Sequence, residues 1–366
     1  MRPVARAGRA AAAWVRRTQV AYGGLPDGSA VCVSYGHRRL PRADEIDGGG
    51  ILKLQSIEQL LPNTPLRFNL LYLVSSRLPD EAVALARAAH KKGARVVVNQ
   101  NGVAYPAWAG AEWPRINAPM TELLAIADHV FYQSEFCRLS ADRFLAPRAG
   151  PSEILYNCAD TTRFTPAGRR EMRPLTLLLG GTQHQWYRLD LALHVLSIVS
   201  RAIPDARLLV TGRLRWRDHP MPATQARDRA RELGVLDRVE FLGPYSQAEA
   251  PDIFRRADIL LHTQYNDSCP TTVIEAMAAG VPVAYSKSGG VPELVGPEAG
   301  VGVDAPLDWD HVHSADPDAM ADAVMAVAAD RPRYAAAARE RAVTRFDLQA
   351  WLARHQTVFA DLVSRS

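Results

Sequence analysis

Cysteine is scarce in this chain: four in 366 residues, Cys32, Cys137, Cys158 and Cys269, with no C-x-x-C pair among them. Such spacing argues against a disulfide framework or a structural zinc site, and it fits free thiols in a reducing cytoplasm. No apolar run reaches the roughly 18 residues that a membrane-spanning helix needs, and no long apolar core follows the basic start as a secretory signal would require. The segment after the first expected strand, VCVSYGHRRLPRADE, lacks G-x-G-x-x-G, which disfavours a nicotinamide-dependent dehydrogenase. The ten histidines show no H-E-x-x-H or comparable spacing. His184, His262, His311 and His313 therefore read as surface or satisfied polar positions rather than metal ligands.

What remains is an ordinary globular composition, 48% hydrophobic, long enough for two domains with separate cores. The net charge of +4 is unevenly placed. Arg2, Arg6, Arg9, Arg16 and Arg17 precede the first acid, Asp27, so residues 1–26 carry +5 and the rest −1. A nearly neutral body disfavours nucleic-acid binding, which calls for a basic stripe across the folded surface. Residues 1–26 read either as a solvated extension, favoured because an Ala-rich face buries little apolar area, or as a basic helix in weak contact with an anionic membrane surface.

Apolar, β-rich runs at 30–34, 68–75, 95–98, 129–133 and 154–156 alternate with helical patterns at 51–61, 81–92, 120–127 and 136–145. A polar stretch at 160–174 follows, and a second series begins with LTLLLGG, then ARLLVTG, RVEFLGP, DILLHTQ and VPVAYS. Strands separated by helices of this length pair in parallel through right-handed crossovers. The expected fold class is α/β, with two doubly wound, Rossmann-like domains facing across a cleft, and ligands bound at the carboxyl ends of the strands. The divisions run 1–26 extension, 27–165 N-terminal domain, 170–345 C-terminal domain and 346–366 a final helix.

The most informative stretch is NDSCPTTVIEAMAAGVPVAYS at 266–286. Val273, Ile274, Met277, Ala278 and Val281 form one helical stripe, which Gly280 and Pro282 end, so Glu275 points away from it. Ser268, Cys269, Pro270, Thr271 and Thr272 lie at the start of this helix, where free N–H groups and the helix dipole suit a diphosphate. A carboxylate at Glu275 suits ribose hydroxyls. The competing reading is a capping box, Thr272-x-x-Glu275, with no ligand, and on the helix alone the two stand level.

Asp267-x7-Glu275, followed by AMAAGVPVAYS and by SGGVPEL at 288–294, resembles the donor-site signature of retaining glycosyltransferases of family four, which have the GT-B fold. The resemblance implies that the first acid touches the transferred sugar and the second binds the nucleotide ribose. Asp267 stands where that family usually has Glu. It further implies a donor-side glycine-rich loop at Gly49 and Gly50, following Gly48. The family's Arg and Lys for the diphosphate are replaced here by Thr182 and Tyr187, which leaves Arg188, and after it Arg213, as sources of positive charge. Its sugar-contacting His is replaced by Asn101, or less favourably Asn99, an amide that binds a hydroxyl but takes no proton. SEILYNCADTTRFTP at 152–166 resembles the family's interdomain signature, and the final helix is expected to cross back to the first domain.

The implied activity is metal-independent transfer of a sugar from a nucleotide-diphosphate sugar to the hydroxyl of a glycan, lipid-linked or small-molecule acceptor, in bacterial surface-polysaccharide synthesis. No cofactor is expected, and the location is cytoplasmic or peripheral on the inner membrane face. A D-x-D clamp flanked by apolar strand residues, the mark of the other major glycosyltransferase fold, is absent. Two alternatives share the plan: a sugar-nucleotide epimerase, which needs titratable groups where Asn101 stands, and a non-catalytic sugar-nucleotide-binding protein, which the Thr182 and Tyr187 departures favour.

Overall fold

The computed structural model describes residues 18–28, 30–41, 49–168, 174–216 and 220–365. Residues 1–17 of the expected extension, and Gly48, lie outside the described residues. The chain divides into two compact units, one ending at Tyr156 and resuming at Ala350, the other running from Asn157 to Gln349.

The first unit is built on a parallel five-stranded sheet. Its strands are β1 (Val33–Ser34), β2 (Leu70–Val74), β3 (Arg95–Gln100), β4 (His129–Tyr132) and β5 (Ser152–Ile154), lying side by side in chain order. Unbroken apolar runs such as LLYLV mark strands covered on both faces. Alternate residues serve different layers. Leu71, Leu73, Val96, Val98 and Val130 pack with residues of helices Ala82–Lys91 and Trp113–Ile126. Tyr72 and Phe131 instead meet His355 of the last helix, Leu348–Ser364, with ring centroids 5.4 and 4.6 Å apart. Successive strands thus lie in order without reversal, and the chain's final helix supplies cover for the second face. Helix Trp113–Ile126 is longer than its periodicity at 120–127 predicts, because Pro114 opens it and Pro119 is accommodated within.

The second unit carries a parallel six-stranded sheet in the order β11-β10-β9-β6-β7-β8. The strands are β6 (Thr176–Leu179), β7 (Arg207–Thr211), β8 (Val239–Gly243), β9 (Ile259–His262), β10 (Val283–Lys287) and β11 (Gly300–Asp304). Leu177, Leu179, Leu208, Val210, Ile259 and Leu261 pack against Leu189, Leu193 and Leu196 of helix Trp186–Ala202, and against Met320, Val324 and Val327 of helix Pro317–Ala329. Strand β11, GVGVD, escaped expectation because its glycines dilute the apolar signal; a Cβ on Gly300 would lie 2.0 Å from the Val283 carbonyl oxygen, so close pairing here requires glycine. Neighbours β6 and β9 are where the winding reverses, and a doubly wound sheet binds ligands at the carboxyl ends of such strands. Among the described residues, no helix is long and apolar enough to cross a membrane.

His355 links the last helix to the first sheet through polar as well as aromatic contacts. Its Nδ1–H donates to the Trp351 carbonyl at 2.9 Å, leaving Nε2 to accept from the Tyr72 hydroxyl at 3.0 Å. Burial pulls its pKa down to about 3. The folded imidazole therefore stays neutral where the unfolded one, titrating near 6.5, takes a proton. Stability present above pH 6.5 should fall as pH drops, by about 2 kcal/mol between pH 8 and pH 5. Equilibrium unfolding across this range should show the decline in the wild type, and His355→Phe should flatten it.

Candidate active site

Glycines let the backbone close up around the β6/β9 reversal. A Cβ on Gly180, just after β6, would lie 2.4 Å from Thr272 Cγ2, so glycine permits the start of helix Thr271–Ala278 to rest against the strand tip. Gly181, Gly212 and Gly243 have φ of +77°, +79° and +73° at or just beyond the carboxyl ends of β6, β7 and β8. Gly212 abuts Gly181, where an added Cβ would lie 2.3 Å from the carbonyl oxygen. Three adjacent strand tips thus turn in left-handed conformations open to glycine.

Pro270 stands at the N-cap of Thr271–Ala278, and no side chain caps the helix. Thr272 and Glu275 therefore form no capping box. The Glu275 carboxylate is buried, 5% exposed, and Oε1 accepts from Gln247 Nε2 at 3.1 Å. Burial pushes its pKa up to about 7, opposed by the Gln247 hydrogen bond and the Arg163 charge. Arg163 also donates to the Gln247 carbonyl at 3.0 Å, fixing the segment that holds the amide in place. Burial, and then the Glu275 charge, raises the pKa of Tyr245 nearby. Gln247, Arg163 and Tyr245 had no sequence signal, because they lie far from Glu275 along the chain and meet it only in the fold.

Ser268, Cys269 and Pro270 lead into the helix. Asn157 holds them: its Nδ2 donates to the Cys269 carbonyl at 2.6 Å and its backbone N–H to Cys269 Sγ at 3.4 Å. Asp267 sits just before, half-buried, its carbonyl accepting from Gly290 N–H at 2.8 Å. Gly289 has φ +67°, and a Cβ there would come within 2.3 Å of the Asp267 carbonyl oxygen, which explains the first glycine of SGGVPEL. Asn266 takes φ 50°, with its N–H donating to Ser288 Oγ at 2.9 Å. His262, at the end of β9, is buried rather than superficial, and its Nε2 lies 3.4 Å from Asp267 Oδ2 without a hydrogen bond. The expectation of a surface or satisfied histidine is corrected at this position.

Thr182 and Tyr187, the two positions without the expected cations, are both tied into the fold, Thr182 through its carbonyl and Tyr187 through its hydroxyl. Tyr187 is a fastener: its hydroxyl accepts from the Tyr265 backbone N–H at 2.9 Å. Arg188 is the buried cation, 5% exposed, donating to the Thr182 and Gly180 carbonyls at 3.0 and 3.4 Å. Its Nε is buried with no partner, and burial pulls its pKa below the usual range, offset in part by Tyr187 and Asp267. A guanidinium held by carbonyls alone, with no ion-paired carboxylate among the described residues, is suited to an incoming anion. Arg213 is exposed beyond β7, and only its carbonyl is engaged, by Gln183 N–H at 2.9 Å.

Gly49, Gly50 and Asn101 belong to the first unit. Helix Gly49–Glu58 starts against the turn after β2, where a Cβ on Gly50 would lie 2.6 Å from Ser76 Oγ; packing therefore accounts for this glycine without a ligand. Asn101, just after β3, receives its backbone order from Ser75 Oγ at 2.8 Å and donates Nδ2 to Ser76 Oγ at 2.8 Å. Its Oδ1 has no partner among the described residues. Asn99 is fully buried and accepts from Gln133 Nε2 at 2.7 Å, so Asn101 is the more available amide.

An uncapped helix start, a buried cation and a buried acid thus lie on the elements that follow β6 and β9, where the winding of the second sheet reverses. Residues 161–342 match the family model of glycosyl transferases group 1, which supports a transferase of the glycosyltransferase class. D-inositol 3-phosphate glycosyltransferase of Corynebacterium kroppenstedtii is 31% identical over 173 residues, 43% of this chain and 38% of that protein. Lipopolysaccharide core biosynthesis mannosyltransferase LpsB of Rhizobium meliloti is 29% identical over 198 residues, 51% and 53%. The chain thus spans between about two fifths and half of these relatives. Anabaena HepE, solved with UDP and glucose, has the same fold at a TM-score of 0.70 and 15% identity, covering 90% of this chain and 100% of that one. Sucrose-phosphate synthase of Thermosynechococcus elongatus has it at 0.63 and 18%, covering 82% and 75%. These structures share the two Rossmann-like parallel sheets of a GT-B fold.

Gly289→Ala should lower equilibrium stability by about 1–3 kcal/mol in urea unfolding, since it adds both a clash and a strained φ. Gly234 has φ +69° but open space, so Gly234→Ala should cost less.

Proposed function

We propose that this chain is a retaining glycosyltransferase that binds a nucleotide-diphosphate sugar on its second unit and transfers the sugar to an acceptor hydroxyl in bacterial surface-glycan synthesis. The observation that carries this reading is a buried carboxylate, Glu275, held by a Gln247 amide beside an uncapped helix start and a carbonyl-bound Arg188. Ribose hydroxyls are hydrogen-bond donors and take the Glu275 carboxylate in exchange for Gln247. The N–H groups opening at Thr271 and Thr272, with Arg188, meet the diphosphate and stabilise the charge that develops on it as the glycosidic bond breaks. Arg213, exposed at a neighbouring strand tip, is the secondary cation. Asp267 is assigned to the transferred sugar and Asn101 Oδ1 to a substrate hydroxyl, while Gly49 and Gly50 open a helix rather than a loop. The relatives' names, which include an inositol-phosphate glycosyltransferase and a lipopolysaccharide mannosyltransferase, support the sugar-transfer and surface-glycan parts of the reading.

A thermal-shift panel of UDP-glucose, UDP-N-acetylglucosamine and GDP-mannose tests it. At 100 times its dissociation constant, a ligand should stabilise by about 2.7 kcal/mol, and Glu275→Ala should abolish most of that gain. No stabilisation by any of the three, or an undiminished shift in Glu275→Ala, contradicts the donor site. Release of nucleoside diphosphate that depends on added acceptor separates transfer from epimerisation.

Binding should also follow Glu275. Its raised pKa leaves it mostly ionised at pH 8 and mostly protonated at pH 6, and only the carboxylate accepts from both ribose hydroxyls. Affinity should therefore fall by up to about tenfold from pH 8 to pH 6. Titration calorimetry of Glu275→Gln should show weaker binding with no such slope.

A further inference from the structure

Resting on the donor site just described, we infer that His262 is a positioning residue that fixes the Asp267 carboxylate for contact with the transferred sugar. The backbone at Asp267 is already immobile: Gly290 N–H binds its carbonyl, Ser288 Oγ binds the N–H of Asn266, and Tyr187 holds the N–H of Tyr265. Only the two side-chain torsions remain to be set. Aspartate also reaches one methylene less than the glutamate the motif usually carries, so a small error in its torsions is enough to miss a sugar hydroxyl.

His262 is placed to set them. It ends β9, in register with Tyr285 of β10, and is almost fully buried. Its Nε2 makes no hydrogen bond and faces Asp267 Oδ2 at 3.4 Å. A buried ring nitrogen rarely stays without a partner, and the Asp267 carboxylate lies 3.4 Å from it. Asp267 Oδ1 has no partner among the described residues, which leaves it to face a ligand. Contacts of this kind tighten when substrate fills the site. Arg188 and Tyr187, on the neighbouring helix, both sense the Asp267 charge, so the carboxylate is flanked by groups that keep it on the ligand side.

The test compares each sugar nucleotide of the panel that binds, UDP-glucose, UDP-N-acetylglucosamine or GDP-mannose, with its parent UDP or GDP by calorimetry. His262→Leu should weaken sugar-nucleotide binding about tenfold while the parent nucleotide changes less than about twofold. His262→Gln, whose Nε2 lies near that of histidine, should restore the difference. In an Asp267→Ala background, His262→Leu should have no further effect. Equal weakening of nucleotide and sugar nucleotide, no rescue by glutamine, or additivity with Asp267→Ala would overturn the assignment. Should His262→Leu fail to fold, His262→Asn, whose shorter amide falls short of Asp267, replaces it with the same expectation. Asp267→Ala that leaves sugar-nucleotide affinity unchanged would instead sink the donor-site reading itself.

Discussion

The contact between Gly180 and Thr272 governs the second unit's working end. With a side chain at 180, a Cβ would lie 2.4 Å from the Thr272 Cγ2 methyl, so the Thr272 side chain or the start of its helix would have to shift. Glu275 is buried on the same helix, and Arg188 donates to the carbonyls of Gly180 and Thr182 in the turn after β6. The reversal of winding between β6 and β9 provides the place, and the missing Cβ atoms allow backbone to approach backbone there.

Glu275 and Arg188 then stand buried, with no counter-ion at salt-bridge distance among the described residues. Taking a carboxylate or a guanidinium out of water is unfavourable unless partners replace the lost hydration, and here those partners are neutral: an amide for Glu275, carbonyl oxygens for Arg188. Such an arrangement weakens the free protein, and under the proposed function a ligand that offers hydroxyls to one group and negative charge to the other recovers the loss. The shifted ionisation of Glu275 is the visible sign of that tension.

Much of the fold was legible because buried parallel strands write themselves as short apolar runs, LLYLV or TLLL, between amphipathic helices. Strand β11 was not, since glycines that allow close pairing carry no hydrophobic signal. The motif at 266–286 revealed the helix and its acid, but local spacing alone left ligand site and capping box level; a Pro270 cap and a tertiary amide from Gln247 decide against the box. His262 was passed over because no ligand spacing surrounds it, and only the turn after β9 brings Asp267 to its ring. Tyr187 illustrates the converse: a departure from the family's lysine reads as a lost charge, yet its hydroxyl secures the Tyr265 backbone.

A crystal structure with UDP bound tests the central claim most directly. The account predicts ribose hydroxyls on the Glu275 carboxylate, the Gln247 amide displaced from it, and the diphosphate at the N–H groups of Thr271 and Thr272 with Arg188 alongside. UDP lodged elsewhere, with Gln247 still bound to Glu275, would contradict it.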